Sequence, residues 1–294
     1  MSSSLPDALG PAADTVSPRN FLFIGGTGVI SAAAAERAVA LGHRLTILNR
    51  GKVGRQAGAG RRGSTPCGRP GRRRRARGTS RKRVRRVADF ISYTPDQARA
   101  GLELFRGRTG QYVFISSASA YQKPPTTLPI LESTPLKNPF WQYSRDKIAC
   151  EELLFEAYRE QDFPLTVVRP SHTYDRTKIA MVGGWTDIHR MRAGMPIMVH
   201  GDGTSLWTLT HSRDFAKAFV GLLGRPQAVG ESYTITSDEF LPWNQIYRLF
   251  ARAAGGGGTG TVPRFFGHHR SPQFRARPPQ SVGRPLALRG VRQL

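Results

Sequence analysis

The stretch Phe21-Leu-Phe-Ile-Gly-Gly-Thr-Gly-Val-Ile-Ser31 decides the fold, because a short apolar run leads directly into a glycine-rich turn. The apolar residues 21–24 predict a buried strand, and Gly25, Gly26 and Gly28 predict a tight turn. Glycine has no Cβ, so backbone N–H groups and the positive end of a following helix can approach a pyrophosphate closely. The stretch therefore predicts a phosphate-binding turn, with an ordinary tight turn as the alternative.

The residues after this turn complete a strand–helix–strand unit. A helix is expected around Ala32 to Leu41, and a second strand over Arg44 to Leu48, after a break at Gly42. A glycine-rich turn in this setting is typical of dinucleotide-binding proteins. The predicted fold class is α/β, a Rossmann-like doubly wound parallel sheet with a small C-terminal substrate lobe.

A second group of reactive side chains lies in the stretch Tyr143-Ser-Arg-Asp-Lys147. The phenol and the ammonium are four residues apart, so they share one face of a helix expected from about Trp141 to Tyr158. Upstream, a strand expected over Tyr112 to Ile115 ends in Ser116-Ser-Ala-Ser-Ala-Tyr121. An isolated pair at this spacing is usually a functionless helix surface, but the serine-rich strand end and the glycine turn favour a site.

Together these stretches resemble the extended short-chain dehydrogenase/reductases, in the epimerase/dehydratase branch that mostly handles nucleotide sugars. The resemblance covers roughly residues 20–51 and 87–254, and it continues in Val167-Val-Arg-Pro170 and from His200 to Asp214. The sequence Asn49-Arg50-Gly51 after the second strand is similar to an atypical group that includes the chloroplast stem-loop-binding proteins. The resemblance implies an NAD(P)-dependent epimerase or reductase.

The resemblance also implies a role for three residues. Ser117, four residues before Tyr121, would hold the substrate oxygen, Tyr143 would be the acid/base, and Lys147 would be its partner. A free tyrosine has a pKa of about 10, and an ammonium with a cationic nicotinamide ring is expected to lower the pKa of Tyr143. The cofactor itself carries the hydride. Residues expected to contact the cofactor are Gly25, Gly26, Thr27, Gly28, Val29, Ile30, Asn49, Arg50, Ser92, Tyr93, Ser116, Tyr143, Lys147 and Pro170.

Two departures from the family pattern narrow the reaction. Ser31 replaces the third glycine of the turn, which is a mild change because the residue is still small. Dehydratases of the family carry an acidic pair just after the catalytic Ser or Thr, and those positions are Ala118 and Ser119 here. This argues against 4,6-dehydration and leaves epimerisation and carbonyl reduction open.

The end of the second strand bears on the choice of cofactor. A carboxylate there would bind a ribose 2′-hydroxyl and select NAD, whereas a cation accepts the 2′-phosphate of NADP. The chain offers Asn49 and Arg50, with no acid. Arg50 could form a fork onto a phosphate, or it could be a solvated loop residue. The sequence favours NADP.

Almost all of the formal net charge of +24 lies in two blocks. Residues 52–86 hold 13 Arg and 2 Lys, residues 255–294 hold 7 Arg, and neither block contains an acid. Removing these 22 cations from the 44 Lys and Arg leaves 22 against 20 acids, or +2. The part that resembles the enzyme family is therefore nearly neutral.

The composition of both blocks predicts a frameshift origin. They consist mostly of Arg, Gly, Ala and Pro, the residues of GC-rich codons, and the family pattern resumes abruptly at Val87. The first block would follow from a compensated frameshift and the second from an uncorrected one. The alternatives are a basic arm that binds RNA or DNA, which would make the chain a nucleic-acid-binding relative, and a solvated low-complexity insert. An inactive product of a disrupted gene is a further alternative.

Composition and spacing set the expected organisation. We expect a mobile tail over 1–19, a dinucleotide-binding domain over 20–170, a substrate lobe over 171–254 and a disordered basic tail over 255–294. No apolar run suits a signal peptide or a membrane span, which predicts a cytoplasmic protein. The two cysteines, at 67 and 150, indicate neither a disulfide framework nor a metal site. A small-molecule substrate is the expected partner, and the family resemblance allows a homodimer.

Within the substrate lobe we expect a helix over Trp185 to Ala193 and a strand over Pro196 to Val199. Arg190, Arg192 and Trp207 are candidate substrate contacts, whereas His172 and His211 are expected to be structural.

Overall fold

A computed structural model describes residues 17–49 and 85–255. The helices and strands in chain order are β1 (Asn20–Ile24), α1 (Val29–Ala40), β2 (Arg44–Leu48), β3 (Val87–Asp89), α2 (Pro95–Phe105), β4 (Tyr112–Ile115), α3 (Gln142–Gln161), β5 (Leu165–Pro170), β6 (His172–Tyr174), α4 (Trp185–Arg192), β7 (Leu206–Trp207), β8 (Leu209–His211), α5 (Ser212–Leu222), β9 (Ser232–Ile235), β10 (Leu241–Pro242) and α6 (Trp243–Ala253). A short 3-10 helix, Ala118–Ala120, follows β4.

Six parallel strands form the main sheet, in the order β2-β1-β3-β4-β5-β9. The chain runs outward from β1 to β2 and then returns to the other side of β1 as β3. A sheet with this reversal binds ligands in the crevice outside the carboxyl ends of its strands, at the point where the order reverses. The α/β, doubly wound fold predicted from sequence is confirmed, and the reversal lies between β1 and β3.

Each face of the sheet is covered by its own apolar cluster. On one face, Phe23 of β1 and Phe219 of α5 both contact Phe90, which follows β3. The ring of Phe90 lies 5.3 Å from each of the other two rings. On the other face, α2 and α3 pack through residues such as Leu102 and Leu154. Because both faces are buried, the central strands are continuous apolar runs rather than alternating ones.

The substrate lobe is interleaved with the main sheet rather than following it. Residues 171–254 were assigned to this lobe, but α5 packs on α1, and β9 pairs with β5 from Val167↔Ser232 to Pro170↔Ile235. The lobe has its own small core around Ile188, Met191 and Trp243. The chain therefore leaves the sheet after β5, builds part of the lobe, and returns to complete the sheet.

Some predicted segments differ from the structure, and others lie outside the described residues. The strand expected over Pro196–Val199 is wrong, since this segment is neither strand nor helix. Of the predicted tail, only 17–19 is described, and Arg19 is already part of the fold, because its guanidinium donates to the Leu223 carbonyl oxygen over 2.9 Å. Arg50, Cys67 and most of both basic blocks lie outside the described residues. Within the described ranges, no helix is long and apolar enough to cross a membrane.

Candidate active site

The glycine turn lies at the carboxyl ends of β1, β2 and β3. Gly25 has a φ of +86°, and a Cβ there would come within 2.6 Å of Ile91 Cγ2. A Cβ on Gly26 would come within 2.7 Å of Ile47 Cγ2. Glycine is thus required by the packing of the turn between its neighbouring strands, in addition to the close approach of phosphate expected from sequence.

The turn leads into the amino terminus of α1. Gly28 is the residue before the helix, and its N–H donates to Ser31 Oγ over 2.9 Å. Ser31 is buried, so the serine at the third glycine position holds the turn in place. The first turn of α1 carries no acidic residue, so its positive dipole end is available to a negatively charged group such as a pyrophosphate.

Asp89, which the sequence analysis missed, fixes the loop that follows β3. Its buried carboxylate accepts hydrogen bonds from the Ser92 hydroxyl over 2.5 Å and from the Tyr112 hydroxyl over 2.5 Å. It also accepts from the N–H groups of Ile91 and Ser92, at 3.0 and 3.1 Å. A lone acid at the end of an apolar strand was the available signal. Asp89 holds Ser92, a predicted cofactor neighbour, beside the glycine turn.

The predicted cofactor residues that are described lie along this edge of the sheet. Ser116 directly follows β4, and its buried Oγ has no hydrogen-bond partner among the described residues. A buried hydroxyl without a partner is costly in a finished site. Together with the available end of α1, it shows that the residues present fit a polar, phosphate-bearing cofactor. Pro170, at the end of β5, lies at the same edge.

Tyr143 lies near the start of α3, in an aromatic setting. Its ring is 4.8 Å from that of Trp141 and 6.3 Å from that of Tyr93. Burial raises the pKa of Tyr143 to about 12, although a hydrogen bond with Ser117 lowers it in part. In the protein itself, desolvation therefore outweighs the contact with Ser117. The lowering expected from Lys147 together with a cationic nicotinamide stays a prediction for the cofactor complex.

Lys147 is fully buried one turn further along α3. Its Nζ donates to the carbonyl oxygens of Ser92 and Ile115, each over 2.7 Å, and lies 5.8 Å from the ring centroid of Tyr143. Burial lowers the pKa of Lys147 to about 8, against the raising effect of nearby Cys150, Asp89 and Glu151. The predicted tyrosine, lysine and serine thus converge, with the ammonium held by the carbonyl of Ser92, in the loop after β3, and by that of Ile115, the last residue of β4.

A buried ion pair, also missed from sequence, ties α3 to β5. Arg169 donates to the Glu151 carboxylate, with the closest contact at 2.6 Å, and to the Tyr121 hydroxyl over 3.1 Å. Tyr121 in turn contacts the Thr234 hydroxyl over 2.6 Å. Burial lowers the pKa of Arg169, but the contacts with Glu151 and Tyr121 are stronger and raise this pKa overall. Glu151 is four residues after Lys147, so this pair anchors the helix that carries the site.

The residues singled out in the substrate lobe have local partners. Arg190 donates to the Pro196 carbonyl oxygen over 2.6 Å, and Arg192 donates to that of Ala254 over 3.1 Å. The Trp207 indole N–H donates to His172 Nδ1 over 3.0 Å, and burial lowers the pKa of His172 to about 4. His211 Nδ1 accepts from the N–H of residue 213 and caps α5.

Two curated proteins are similar to this chain in sequence. 2′-Dehydrokanamycin reductase of Streptomyces kanamyceticus is 29% identical over 174 residues, which are 58% of this chain and 48% of that protein. The chloroplast stem-loop binding protein of 41 kDa b of Arabidopsis thaliana is 30% identical over 145 residues, which are 49% of this chain and 36% of that protein. The chain spans about half, or less, of the length of these relatives.

A solved structure and a family description give the broader relationship. The dTDP-glucose 4,6-dehydratase of Bacillus anthracis, in complex with NAD, has a TM-score of 0.64 at 17% identity, over 85% of each chain. At this identity the likeness shows the fold alone. The family described as "NAD dependent epimerase/dehydratase family" matches residues 76–236, more than half of the chain. The chain therefore belongs to the NAD dependent epimerase/dehydratase family.

Proposed function

We propose that this chain is an NAD(P)-dependent oxidoreductase or epimerase that acts through Ser117, Tyr143 and Lys147. Its substrate would be a nucleotide sugar or a similar carbonyl or hydroxyl compound. The observation that carries the proposal is the contact of Ser117 with Tyr143, next to a buried Lys147, beside the order reversal of a Rossmann sheet. Family membership supports it independently.

The protonation states of the site suit proton donation to a substrate oxygen. With a pKa raised by burial to about 12, the Tyr143 phenol is protonated at neutral pH. Lys147, whose pKa burial lowers to about 8, still carries its charge there. Ser117 would hold the substrate oxygen while Tyr143 gives or takes its proton. A bound nicotinamide dinucleotide supplies or accepts the hydride.

The glycine turn and the amino terminus of α1 would hold the pyrophosphate, and Ser92, Ser116 and Lys147 would face the nicotinamide half. Gly25→Ala tests this assignment. The Cβ would contact Ile91 from a left-handed backbone conformation, which costs about 1–3 kcal/mol. We expect a lower melting temperature and weaker binding of NADPH, measured by thermal unfolding and by titration calorimetry.

Gly221→Ala is the matched control, because a Cβ at this position of α5 meets no heavy atom within 4 Å. This variant is expected to be at least as stable as the wild type and to bind NADPH equally well. Wild-type stability and affinity in Gly25→Ala would contradict the assignment.

We further propose that NADP is preferred to NAD. The support is the absence of a carboxylate at Asn49 and Arg50, of which Asn49 follows β2 and Arg50 lies outside the described residues. A hydrogen bond from a cation to a phosphate contributes about 1.5–3 kcal/mol. The full chain is therefore expected to bind NADPH about tenfold or more tightly than NADH. Arg50→Ala should remove the difference, and equal affinities in the wild type would refute the preference.

The substrate of the proposed reaction is a carbonyl or hydroxyl compound that is reduced or epimerised rather than dehydrated. The curated relative named as a dehydrokanamycin reductase and the non-acidic Ala118 and Ser119 both favour carbonyl reduction over dehydration. The test is NADPH oxidation with a panel of 4-keto nucleotide sugars and keto-aminoglycosides, together with an epimerisation assay on UDP-sugars. Turnover with any of these supports the proposal. Bound cofactor without turnover on the whole panel would count against it.

Nucleic-acid binding is a second candidate, favoured by the basic blocks and by the relative named as a stem-loop binding protein. The family match includes residues 76–86, and backbone N–H groups of Gly110 and Leu22 donate to the carbonyls of Arg85 and Arg86. The end of the first block thus belongs to the fold. RNA binding that weakens steeply with salt and needs both blocks would support this candidate. Sequencing of the gene over both blocks tests the frameshift hypothesis.

A further inference from the structure

A row of hydrogen-bonded side chains leads from the interior to Ser117. Asn138 Nδ2 lies 3.3 Å from Ser144 Oγ, which lies 2.9 Å from Ser119 Oγ. Ser119 Oγ lies 2.9 Å from Ser117 Oγ. Ser144 and Asn138 are buried, whereas Ser119 and Ser117 are half-buried at the site. The row joins the start of α3 to the 3-10 helix after β4, and the loop before α3 provides its inner end.

The orientation of the Asn138 amide sets the direction of the hydrogen bond at the inner end of this row. Asn138 Oδ1 accepts from the Phe140 N–H over 3.1 Å, and Nδ2 donates to the Ser119 carbonyl oxygen over 2.8 Å. The NH₂ group therefore faces Ser144, and an NH₂ group can only donate. Ser144 Oγ accepts this hydrogen bond and gives its own proton to Ser119 Oγ.

Ser117 is left as a hydrogen-bond donor. Ser119 Oγ accepts from Ser144, and among the described contacts Ser117 Oγ is the acceptor offered to the Ser119 proton, so we assign Ser119 as the donor to Ser117. Ser117 Oγ also accepts from the Ser119 backbone N–H over 3.1 Å. A hydroxyl has two acceptor positions and one proton. Both acceptor positions of Ser117 are occupied from within the protein, and only its proton remains to be given.

We infer that Asn138, Ser144 and Ser119 are positioning residues that make Ser117 a hydrogen-bond donor, toward the Tyr143 oxygen in the free protein and toward the substrate oxygen when a substrate is bound. A donor stabilises negative charge that develops on either oxygen, whereas an acceptor would favour the neutral phenol. The inference rests on the proposed function for its catalytic meaning, but the direction of the row follows from the contacts alone. It also gives Ser119 a purpose, since an ionised carboxylate at that position could only accept.

The decisive variant is Asn138→Asp, which keeps the shape and replaces the donating NH₂ by an accepting oxygen. An ionised carboxylate there accepts from Ser144, so the row reverses, Ser144, Ser119 and Ser117 each donate inward, and Tyr143 loses its donor. The added negative charge also raises the pKa of Tyr143 by itself. A rise confined to Asn138→Asp, with none in the uncharged Ser119→Ala, would therefore count against the inference. Ser119→Ala vacates one acceptor position of Ser117, so the neutral Tyr143 phenol can then donate to Ser117 and its protonated form is favoured. This variant adds no charge and covers the case in which Asn138→Asp does not fold. Ser119→Thr keeps the hydroxyl at a half-buried position and is the matched control.

The readout is the pKa of Tyr143, followed by ¹⁹F NMR in the full chain labelled with 3-fluorotyrosine, whose phenol titrates at lower pH than tyrosine. The resonance is assigned with Tyr143→Phe. A lost hydrogen bond to a charged group corresponds to a rise of about one pKa unit or more. We expect this rise in Asn138→Asp and Ser119→Ala, and the wild-type value in Ser119→Thr.

An unchanged pKa of Tyr143 in both Asn138→Asp and Ser119→Ala, with the fold intact by circular dichroism, would overturn the inference. The titration needs neither substrate nor turnover. If the pKa rises as expected but no member of the substrate panel reacts, the proton direction stands and the proposed reaction fails. In an active enzyme, the same two variants should lower kcat about tenfold or more with KM within about twofold, since the lost interaction is made in the transition state.

Discussion

Tyr143→Phe is expected to lower turnover about 100- to 10,000-fold, the range that a positioned general acid or base contributes. The reason is that phenylalanine keeps the ring contacts with Trp141 and Tyr93 but cannot exchange a proton with the substrate. Affinity for NADPH should stay within about twofold of the wild type, because the variant removes one hydroxyl and no phosphate contact. The measurement is kcat on the best substrate of the panel, with the dissociation constant of NADPH alongside.

Tyr158→Phe is the matched control for this experiment. Tyr158 lies on the same helix, α3, but packs against Gly230, away from the carboxyl ends of the strands where the site lies. Its loss of a hydroxyl should leave kcat unchanged. A Tyr143→Phe enzyme with wild-type turnover would remove Tyr143 from the proposed mechanism.

Glu151→Ala is expected to cost about 3–5 kcal/mol of folding free energy, because removal of one partner of a buried pair leaves the other charge uncompensated. Arg169 would keep its buried guanidinium with only the Tyr121 hydroxyl as a polar side-chain partner among the described contacts. Chemical denaturation of both proteins measures the loss. Since the pair anchors α3 near Lys147, turnover should also fall in whatever fraction remains folded.

Glu152→Ala provides the comparison, because Glu152 is the next residue on α3 and is exposed. Surface substitutions of this kind usually change stability by no more than about 0.5 kcal/mol. If Glu151→Ala is as stable as Glu152→Ala, the buried pair of Glu151 and Arg169 does not anchor α3.

The parts of the fold that sequence predicts well are those set by local pattern. The strand, turn and helix from β1 to α1 follow from an apolar run and three glycines, and the helix carrying Tyr143 and Lys147 follows from spacing. Both were placed to within a few residues. The convergence of Ser117 with that helix was implied by the family resemblance, and the structure brings these residues together.

The parts that sequence did not predict depend on contacts between distant residues. Asp89 and Tyr112 are 23 residues apart, and Glu151 and Arg169 are 18 apart. The local pattern of Glu151 does not distinguish it from a solvated acid, and the position of Asp89 at the end of an apolar strand does not name its partners. The return of β9 to the main sheet was missed for the same reason, since its half-buried burial pattern resembles that of a lobe strand and only its pairing with β5 reveals its place.

The pKa of Tyr143 in the protein itself does not follow from sequence, because sequence lists charged neighbours but does not measure burial. Lys147 is close, yet it donates to the carbonyls of Ser92 and Ile115, and desolvation dominates the phenol. Proximity of a cation lowers a phenol pKa only where the cost of burial is smaller.

Titration of the full chain with NADPH shows whether the glycine turn holds a dinucleotide. The reaction proposed for Ser117, Tyr143 and Lys147 requires one there. Trp141 lies 4.8 Å from the Tyr143 ring, so its fluorescence should be quenched by energy transfer to a dihydronicotinamide bound there. We predict saturable quenching with one site per chain, retained in Tyr143→Phe and weakened in Gly25→Ala. A folded chain whose fluorescence responds to neither NADPH nor NADH would contradict a dinucleotide site at the glycine turn.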